Sequence, residues 1–191
     1  MMRTVQAVVV SAFLALPAGA VAQERTNPHD DDRHAQHGAL PALPGGASLE
    51  GAFLDREGRE VGTVMIADTP TGLLLRVDVH GVAHGFHGLH IHETGRCEPE
   101  EGFSTAGGHA NPFRDDHGFL TEAGSHAGDF PNAYAHQEGH IRTDAFKENV
   151  RLEDFQDADG FAVMIHSDAD DYESQPSGAA GDRVACAAFP G

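Results

Sequence analysis

Two histidines, His90 and His92, stand one residue apart in the run GFHGLHIHE, which reads as a short β-strand. Residues i and i+2 of a strand face the same side, so both imidazoles project together while Ile91 points into the opposite layer. This spacing lets two imidazoles reach one metal ion. Two histidines can equally line a polar face of a sheet, so the pair alone is a weak indication of metal binding.

A glycine-rich stretch downstream supplies further potential ligands. It contains His109 in GGHANP, His117 in DDHGF, and His126 with Asp129 in SHAGDFPN. Neutral imidazole nitrogen and carboxylate oxygen both suit zinc, and four such ligands complete a tetrahedral site. Three histidines and one carboxylate in a single loop therefore predict a zinc site.

One more histidine, His166, ends the later apolar run FAVMIHS. Together with His90 and His92 it forms an all-nitrogen group carried by strands, which are more rigid than the loop. An all-imidazole, roughly tetragonal site suits copper(II), which binds more tightly than zinc wherever the geometry permits. The residue types and their spacing therefore predict two metal sites.

The elements that must position these side chains read as short strands. Seven apolar runs are partly alternating, and each is bounded by Gly, Pro, Asp or Asn: ASLEGAFLD, EVGTVMIAD, GLLLRVDVHG, GFHGLHIHE, HIRTDAF, GFAVMIHS and RVACAAF. No stretch shows the period of an amphipathic helix. The pattern predicts an all-β fold, an antiparallel sandwich or barrel.

The stretch from Glu93 to about Gly139 is rich in Gly, Pro, Asn, Asp and His and has hardly any strand signal. Compact domains seldom contain so long a structureless loop unless it is functional or held by something else. Bound metal ions would hold it, because binding energy at a site that forms only in the folded chain becomes folding energy.

The first 46 residues precede the domain, which is expected to span residues 47–191. Residues 1–22 combine Arg3, an apolar stretch and an A-x-A sequence, which predicts a signal peptide cleaved after Ala22 and export of the protein. A membrane anchor is the alternative, but the apolar stretch is shorter than the roughly 20 residues that a spanning helix needs.

Residues 23–46 are charged and rich in Pro and Gly, which predicts a disordered tail and linker. The tail carries His29, His34 and His37 among acidic residues, and histidine-rich tracts can bind copper, nickel or zinc. One hypothesis is that it gathers metal for the exported protein. A solvated linker with incidental histidines is the other.

Charge limits the possible partners. Without residues 1–22 the chain has 11 basic and 30 acidic residues, a net charge of −19 with neutral histidines. Such a surface repels nucleic acid and anionic membranes, so neither is expected as a partner. No later segment is long and apolar enough to insert into a membrane.

Only two cysteines are present, Cys97 and Cys186. In an exported protein they are expected to form one long-range disulfide, because the compartment is oxidising. Two buried free thiols and a thiolate metal site are the alternatives, and export disfavours both.

Taken together, the motifs resemble those of copper/zinc superoxide dismutases of the bacterial, exported type, over about residues 47–191. The resemblance rests on GFHGLHIHE, CEPE, AGGHANP, HGF, SHAGDFPN, MIHSDADDY and GAAGDRVAC, in the family's order and with closely similar spacings. It implies a Greek-key antiparallel β-barrel of about eight strands with long loops around the metals. Several independent motifs that agree in order make a strong signal, unlike any one of them.

The resemblance also implies a ligand set for one copper and one zinc ion per chain. The copper ligands would be His90, His92, His109 and His166. The zinc ligands would be His109, His117, His126 and Asp129. His109 would therefore bridge the two ions, a sharing that the residue pattern alone does not reveal.

Further residues take their implied roles from the same motifs. Asp170 would accept hydrogen bonds from His90 and His117 and so fix both rings. Arg183 would overlook the copper, and Cys186 would anchor the long loop through Cys97. His87 matches a histidine that ties loops together.

The implied activity is the dismutation of superoxide to oxygen and hydrogen peroxide in the cell envelope, with His109 as one proton source and Arg183 attracting the anion. Family members often carry lysines near the channel mouth, whereas this chain has a single lysine, Lys147. Steering is therefore expected to be weaker or to rest on Arg183 and other residues, with Arg114 as a candidate.

A second class of function remains open, a non-enzymatic copper/zinc-binding or copper-delivery protein on the same fold. Relatives that lack a copper ligand or the arginine can lose activity. Here all six proposed histidine ligands, Asp129 and Arg183 are present, which favours the enzyme. The resemblance is compatible with either a monomer or a homodimer.

Overall fold

The computed structural model describes residues 48–191. The predicted signal peptide and the histidine-rich tail lie outside the described residues. Eight strands make up the described part: β1 (Ser48–Asp55), β2 (Glu60–Thr69), β3 (Gly72–Val79), β4 (Gly85–His92), β5 (Asp129–Ala135), β6 (Ile141–Glu148), β7 (Phe161–His166) and β8 (Arg183–Phe189). Three short 3-10 helices lie between them, at Pro99–Glu101, Ser104–Ala106 and Leu152–Asp154.

The strands close into an antiparallel barrel in the order β1-β2-β3-β6-β5-β4-β7-β8, and β8 pairs with β1. Within this order β7-β4-β5-β6 is a Greek key, because three consecutive strands are followed by a fourth that returns beside the first. The predicted all-β fold and the Greek-key barrel of about eight strands are confirmed.

Alternation along the strands builds the barrel core. On β3 the side chains of Leu73, Leu75, Val77 and Val79 are buried and belong to the main hydrophobic cluster. The residues between them are partly exposed, as expected for a strand with one face on the core and one towards solvent.

Strands β4 and β7 differ from β3 because they are buried on both faces. The inward face of β4 contributes Leu89 and Ile91 to the core, while His90 and His92 lie on the outward face. The paired strand β7 likewise presents Met164 opposite His90. Long loops cover this outward face, which explains why polar side chains on it are buried.

The β4–β5 loop, residues 93–128, runs back alongside β4. Ala110 donates its N–H to the carbonyl of Ile91, and Ile91 donates to the carbonyl of Gly128. The Cys97–Cys186 disulfide ties the same loop to β8, with Cα atoms 5.7 Å apart, and confirms the predicted pairing.

The predicted structureless stretch from Glu93 to about Gly139 is wrong in its second part, because β5 occupies Asp129–Ala135. The sequence DFPNAYA does not indicate a strand, because Pro131 and Asn132 are residue types that are depleted in strands. Pro131 is tolerated because β5 is bulged against β4 and pairs with β6 only at Ala135.

Among residues 48–191, no helix is long and apolar enough to cross a membrane.

Truncating the side chain of Ile91, which lies between the two outward histidines, should weaken the packing of the core while leaving every proposed metal ligand in place. Because Ile91 is fully buried in the barrel core, Ile91→Ala is expected to lower the free energy of unfolding by about 2–5 kcal/mol, and Ile91→Val by about 0.5–1.5 kcal/mol. Urea unfolding and metal analysis of both variants would test this. Equal stability of Ile91→Ala and the unsubstituted protein would contradict the core assignment.

Candidate metal centre

The predicted ligands come together on the outward face of β4 in two adjoining groups of buried side chains. The first group consists of His90, His92, His109 and His166, and the second of His109, His117, His126 and Asp129. In each group the potential ligand atoms lie within 4.8 Å of one another. His109 is common to both, because a β-bridge between His92 and His109 brings the loop against the end of β4.

In the first group, backbone carbonyls orient two of the rings. His92 Nδ1 lies 3.0 Å from the carbonyl oxygen of Gly107, and His166 Nδ1 lies 3.4 Å from that of Gly181. If each Nδ1 carries the proton that is donated to its carbonyl, both Nε2 atoms present lone pairs. These two Nε2 atoms face each other at 3.3 Å, a separation that suits two ligands of one ion.

The carboxylate of Asp170 orients one ring from each group. Its two oxygens lie 2.7 Å from His90 Nε2 and 3.1 Å from His117 Nε2. When the rings are neutral, each Nε2–H donates to Asp170, so each Nδ1 is left with a lone pair. The side chains of all three residues are fully buried, and their geometry matches the role expected for Asp170.

Asp129 is the centre of the second group. Its Oδ1 lies 2.9 Å from His109 Nδ1 and 3.4 Å from His126 Nδ1, and its Oδ2 lies 3.1 Å from His117 Nδ1. Oδ2 also accepts the backbone N–H groups of Gly118 and His126, both at 3.0 Å. The carboxylate of Asp129 therefore lies among three imidazole nitrogens, two at Oδ1 and one at Oδ2, as a zinc ligand would.

Four buried ring nitrogens have no hydrogen-bond partner, and this tests whether the residues fit metal ions. They are His90 Nδ1, His109 Nε2, His117 Nδ1 and His126 Nδ1. Buried polar atoms without partners are costly, and native structures contain few of them. All four belong to the two groups, so the donor set fits an all-nitrogen copper site and a zinc site joined by His109.

Burial keeps most of these rings neutral. It lowers the pKa of His109 to about 4, despite the hydrogen bond that His109 donates to Asp129, and the pKa of His166 to about 3. The pKa of His92 is also well below its ordinary value, mainly through burial. Neutral imidazole is the form that binds metal, so these rings are ready ligands at neutral pH.

His117 behaves differently from its neighbours. Burial opposes its charge, but the carboxylate of Asp129, 3.1 Å from Nδ1, and the hydrogen bond to Asp170 outweigh burial and raise the pKa of His117 to about 9. Burial would raise the pKa values of Asp129 and Asp170. Hydrogen bonds from the surrounding histidines nevertheless hold both pKa values well below the usual range. In the metal-free protein the protonated ring of His117 therefore supplies positive charge beside Asp129 and Asp170, as a bound metal ion would.

Sequence reasoning missed the residues that hold Asp170 in place. Asn132 on β5 accepts the backbone N–H of Asp170 and donates its amide N–H to the Asp170 carbonyl, both at 2.8 Å. Tyr172 donates its backbone N–H to Asp170 Oδ1. A Cβ on Gly178 would lie 1.8 Å from Asp170 Oδ1, so only glycine fits there. The φ of Gly178, +65°, also favours glycine. Asn132 is 38 residues from Asp170, and no local motif marks it.

Arg183 begins β8 beside the first group. Its guanidinium donates to the carbonyl oxygens of Phe103 at 2.5 Å and Gly107 at 2.6 Å. Gly107 also faces His92 Nδ1, so a single carbonyl connects the arginine to a proposed copper ligand. Half-buried and fixed at both terminal nitrogens, Arg183 is a rigid positive charge.

Lys147, Arg114 and His87, which the sequence motifs also single out, lie outside the two ligand groups. Lys147 donates to the Ser125 hydroxyl and covers the ring of Phe119, so it contacts the long loop. Arg114 is exposed in a turn with positive φ. His87 contacts two carbonyl oxygens, those of His166 and Ala83, each at 2.7 Å, and so ties the ends of β4 and β7 together.

An eight-stranded antiparallel barrel with two adjoining ligand groups that share one histidine defines a class of two-metal proteins. A family model described as copper/zinc superoxide dismutase (SODC) matches residues 60–189. The chain belongs to the copper/zinc superoxide dismutase family, which implies copper and zinc as its metals.

Similar proteins come from several bacteria. Superoxide dismutase (Cu-Zn) 2 of Aquifex aeolicus is 37% identical over 141 residues, which cover 70% of this chain and 81% of the relative. The superoxide dismutase-like protein YojM of Bacillus subtilis is 36% identical over 147 residues, 73% of this chain and 74% of that protein. The solved Cu/Zn superoxide dismutase of Brucella abortus is 28% identical with a TM-score of 0.64, covering 74% of this chain and 99% of that one.

The metal-free protein should be most stable near pH 6.5. His109 and His166 have folded-state pKa values of about 4 and about 3, so stability is lost as the pH falls below 6.5, where the unfolded chain binds more protons. The pKa of His117 is shifted in the opposite direction, so its effect on stability has the opposite sign. Its contribution is present below 6.5 and is lost as the pH rises through about 9.

Urea unfolding of chelator-treated protein between pH 4 and pH 9 would measure this profile. His117→Gln is the matched variant and should remove the decline on the alkaline side. A stability that keeps rising from pH 6.5 to pH 9 would contradict the arrangement around His117.

Proposed function

We propose that the protein is a copper/zinc superoxide dismutase, an oxidoreductase that converts two superoxide anions and two protons into one oxygen and one hydrogen peroxide. The observation that carries the proposal is the shared position of His109. Its Nδ1 lies 2.9 Å from Asp129 in the zinc-type group, while its buried Nε2 lacks a partner on the side of the all-nitrogen group.

The proposed copper ligands are His90, His92, His109 and His166, and the proposed zinc ligands are His109, His117, His126 and Asp129. Copper, when bound, supplies the one-electron acceptor and donor that the two halves of the reaction require. One copper and one zinc ion per chain is the stoichiometry that these ligand counts support.

The proton role falls to His109 because its two nitrogens have different neighbours. Nδ1 faces Asp129, whose pKa is held well below the usual range, so that side stays anionic and keeps the ring in place. Nε2 is the nitrogen that can take up a proton and give it to the second superoxide. Its burial favours the neutral ring, so a proton gained there is readily released.

Substrate binding falls to Arg183. Superoxide is a small anion, and this chain carries a formal net charge of −18, so an attractive patch near the copper ligands is needed. The carbonyls of Phe103 and Gly107 hold the guanidinium in one orientation and leave its charge unneutralised. Lys147, which contacts Ser125 and Phe119, has a structural role in the long loop.

A non-enzymatic copper/zinc-binding or copper-delivery protein remains the second candidate. The observation that keeps it open is the likeness to YojM of Bacillus subtilis, which is named a superoxide dismutase-like protein. Solved structures of that SOD-like protein include a variant in which two residues have been changed to histidine. In this chain all six proposed histidine ligands and Arg183 are in place, which supports the enzyme.

Export to the periplasm is part of the proposal, with a signal peptide in residues 1–22 cleaved after Ala22 and protection of the cell envelope from superoxide as the role. The disulfide supports it, because such bonds persist in oxidising compartments and are rare in the cytosol. Either a monomer or a homodimer is compatible with the site, since all the proposed ligands come from one chain.

Removing one proposed copper ligand should abolish turnover without unfolding the barrel. His166→Ala is expected to retain zinc and to lose copper binding and superoxide dismutation, because its Nε2 is one of the two facing donors. Metal content and activity would be measured on one mature sample before and after copper loading. His136→Ala, at an exposed histidine outside both groups, is the matched control.

Activity that tracks copper, reaches about one copper and one zinc per chain and disappears only in His166→Ala would support the enzyme. Copper bound at that ratio without turnover would overturn it in favour of metal binding or delivery.

Steering by Arg183 has a separate signature in ionic strength. Arg183→Gln is expected to lower kcat/KM by about tenfold or more and to flatten its decline with added salt, because a focusing charge is screened within about 10 Å at 0.1 M salt. Stopped-flow decay of superoxide at several salt concentrations would measure both. Arg151→Gln is the matched control, since that guanidinium donates to the carbonyl of Thr69. An unchanged rate and salt profile in Arg183→Gln would contradict the docking role.

A further inference from the structure

A third group of potential ligands lies away from the histidines of the metal centre, where β3 ends and β6 begins. It consists of Asp78 on β3, His80 directly after β3 and His140 directly before β6. In the antiparallel register Asp78 pairs with Arg142 and Val79 with Ile141. His80 and His140 therefore continue the ladder as the next opposed pair, on the same face as Asp78.

The three side chains point their donor atoms at one place. His140 Nε2 lies 2.7 Å and His80 Nε2 lies 3.6 Å from the same oxygen, Asp78 Oδ1. The two imidazoles are stacked, with ring centroids 4.0 Å apart and planes inclined by 15°. Stacking holds the two rings side by side, with both Nε2 atoms near the carboxylate.

Two arginines lie beside this group. Arg142 approaches the other carboxylate oxygen, with its Nε 3.8 Å from Asp78 Oδ2. One step further along the ladder, Arg76 and Asp144 form a bidentate pair at 2.7 Å. Oδ1 of Asp78 is thus directed to the two histidines, and Arg142 helps to fix the carboxylate in that orientation.

We propose that Asp78, His80 and His140 bind a divalent first-row transition-metal ion. Two imidazole nitrogens and one carboxylate oxygen are ligands that zinc and copper(II) both accept. An ion about 2.1 Å from each donor requires donors roughly 3.4 Å apart in tetrahedral geometry. The observed 2.7 Å and 3.6 Å lie on either side of that value, and all three donor atoms lie within 4.8 Å of one another, so rotation of the side chains would complete the site.

The site differs in character from the buried centre. The side chain of His80 is 65% exposed, and those of Asp78 and His140 are 23% and 20% exposed. An ion can therefore enter from solvent without movement of the barrel, and water completes its coordination. Such an ion exchanges readily, and copper(II) binds more tightly than zinc in the order that ligand chemistry sets.

The test uses the full chain with the two ligand groups of the metal centre first filled with copper and zinc. His29, His34 and His37 are replaced by Gln so that the tail contributes no binding. Zinc alone is then titrated against a chromophoric competitor. We expect one additional ion per chain in this background, and binding weaker by more than about 100-fold when His80→Gln and His140→Gln are added, beyond the 10- to 100-fold effect of removing a ligand's hydrogen-bond partner.

The matched control replaces His84 and His136 by Gln, two exposed histidines of neighbouring turns that belong to none of the three groups. It should retain the additional ion. Absence of that ion in the tail-substituted background, or equal binding in the His80/His140 variant, would overturn the proposal.

A second measurement follows the histidines of the unsubstituted group directly. Histidine ring-proton resonances of the metal-loaded, tail-substituted chain should include two that shift together on addition of zinc, and single replacements of His80 and His140 identify them. Zinc that shifts other histidine resonances and leaves these two unchanged would overturn the site. Equimolar copper(II) should displace the zinc, and retention of zinc against copper would overturn the order of preference.

Discussion

The metal centre depends on the hydrogen bonds that the carboxylate of Asp170 accepts. This carboxylate accepts from His90 on β4 and from His117 in the long loop, so one side chain fixes a ring in each ligand group. By holding the proton on Nε2 of both rings, it turns Nδ1 of each towards a metal position. Asn132 on β5 clamps its backbone, and the chain around it belongs to the β7–β8 loop. Two strands and two loops thus meet through one residue.

Burial of so many polar side chains would be unfavourable without compensation. Eight titratable residues of the two groups and their surroundings are almost fully enclosed, and four of their ring nitrogens lack partners. The proposed metal ions would satisfy those nitrogens, and their binding energy would then contribute to folding, because the unfolded chain does not present the site. This explains how the β4–β5 loop is held in place by ligands and a disulfide, with 3-10 helices as its only helical elements.

Much of this arrangement could be read from the sequence, because it depends on local patterns. Alternating apolar residues mark seven of the eight strands, and the spacing of His90 and His92 places both on one face. Strand β5 was not predictable in this way, because its Pro131 and Asn132 carry the opposite signal and its pairing depends on β4. The Asp170–Asn132 clamp and the His80–His140 stack join residues 38 and 60 positions apart. The first contact depends on how the β7–β8 loop packs against β5 and the second on the register of β3 and β6, and no single motif reveals either.

The i, i+2 spacing occurs twice in the barrel with different consequences. On β4 it aligns His90 with His92, and at the end of β3 it aligns Asp78 with His80. The difference lies in what covers the strand, since loops enclose the outward face of β4 and leave His80 in solvent. Exclusion of water strengthens every electrostatic contact of the buried pair and makes an unpaired nitrogen costly, which favours permanent occupation by an ion. The exposed pair keeps its hydration in the metal-free state, so the same ligand chemistry there supports reversible binding.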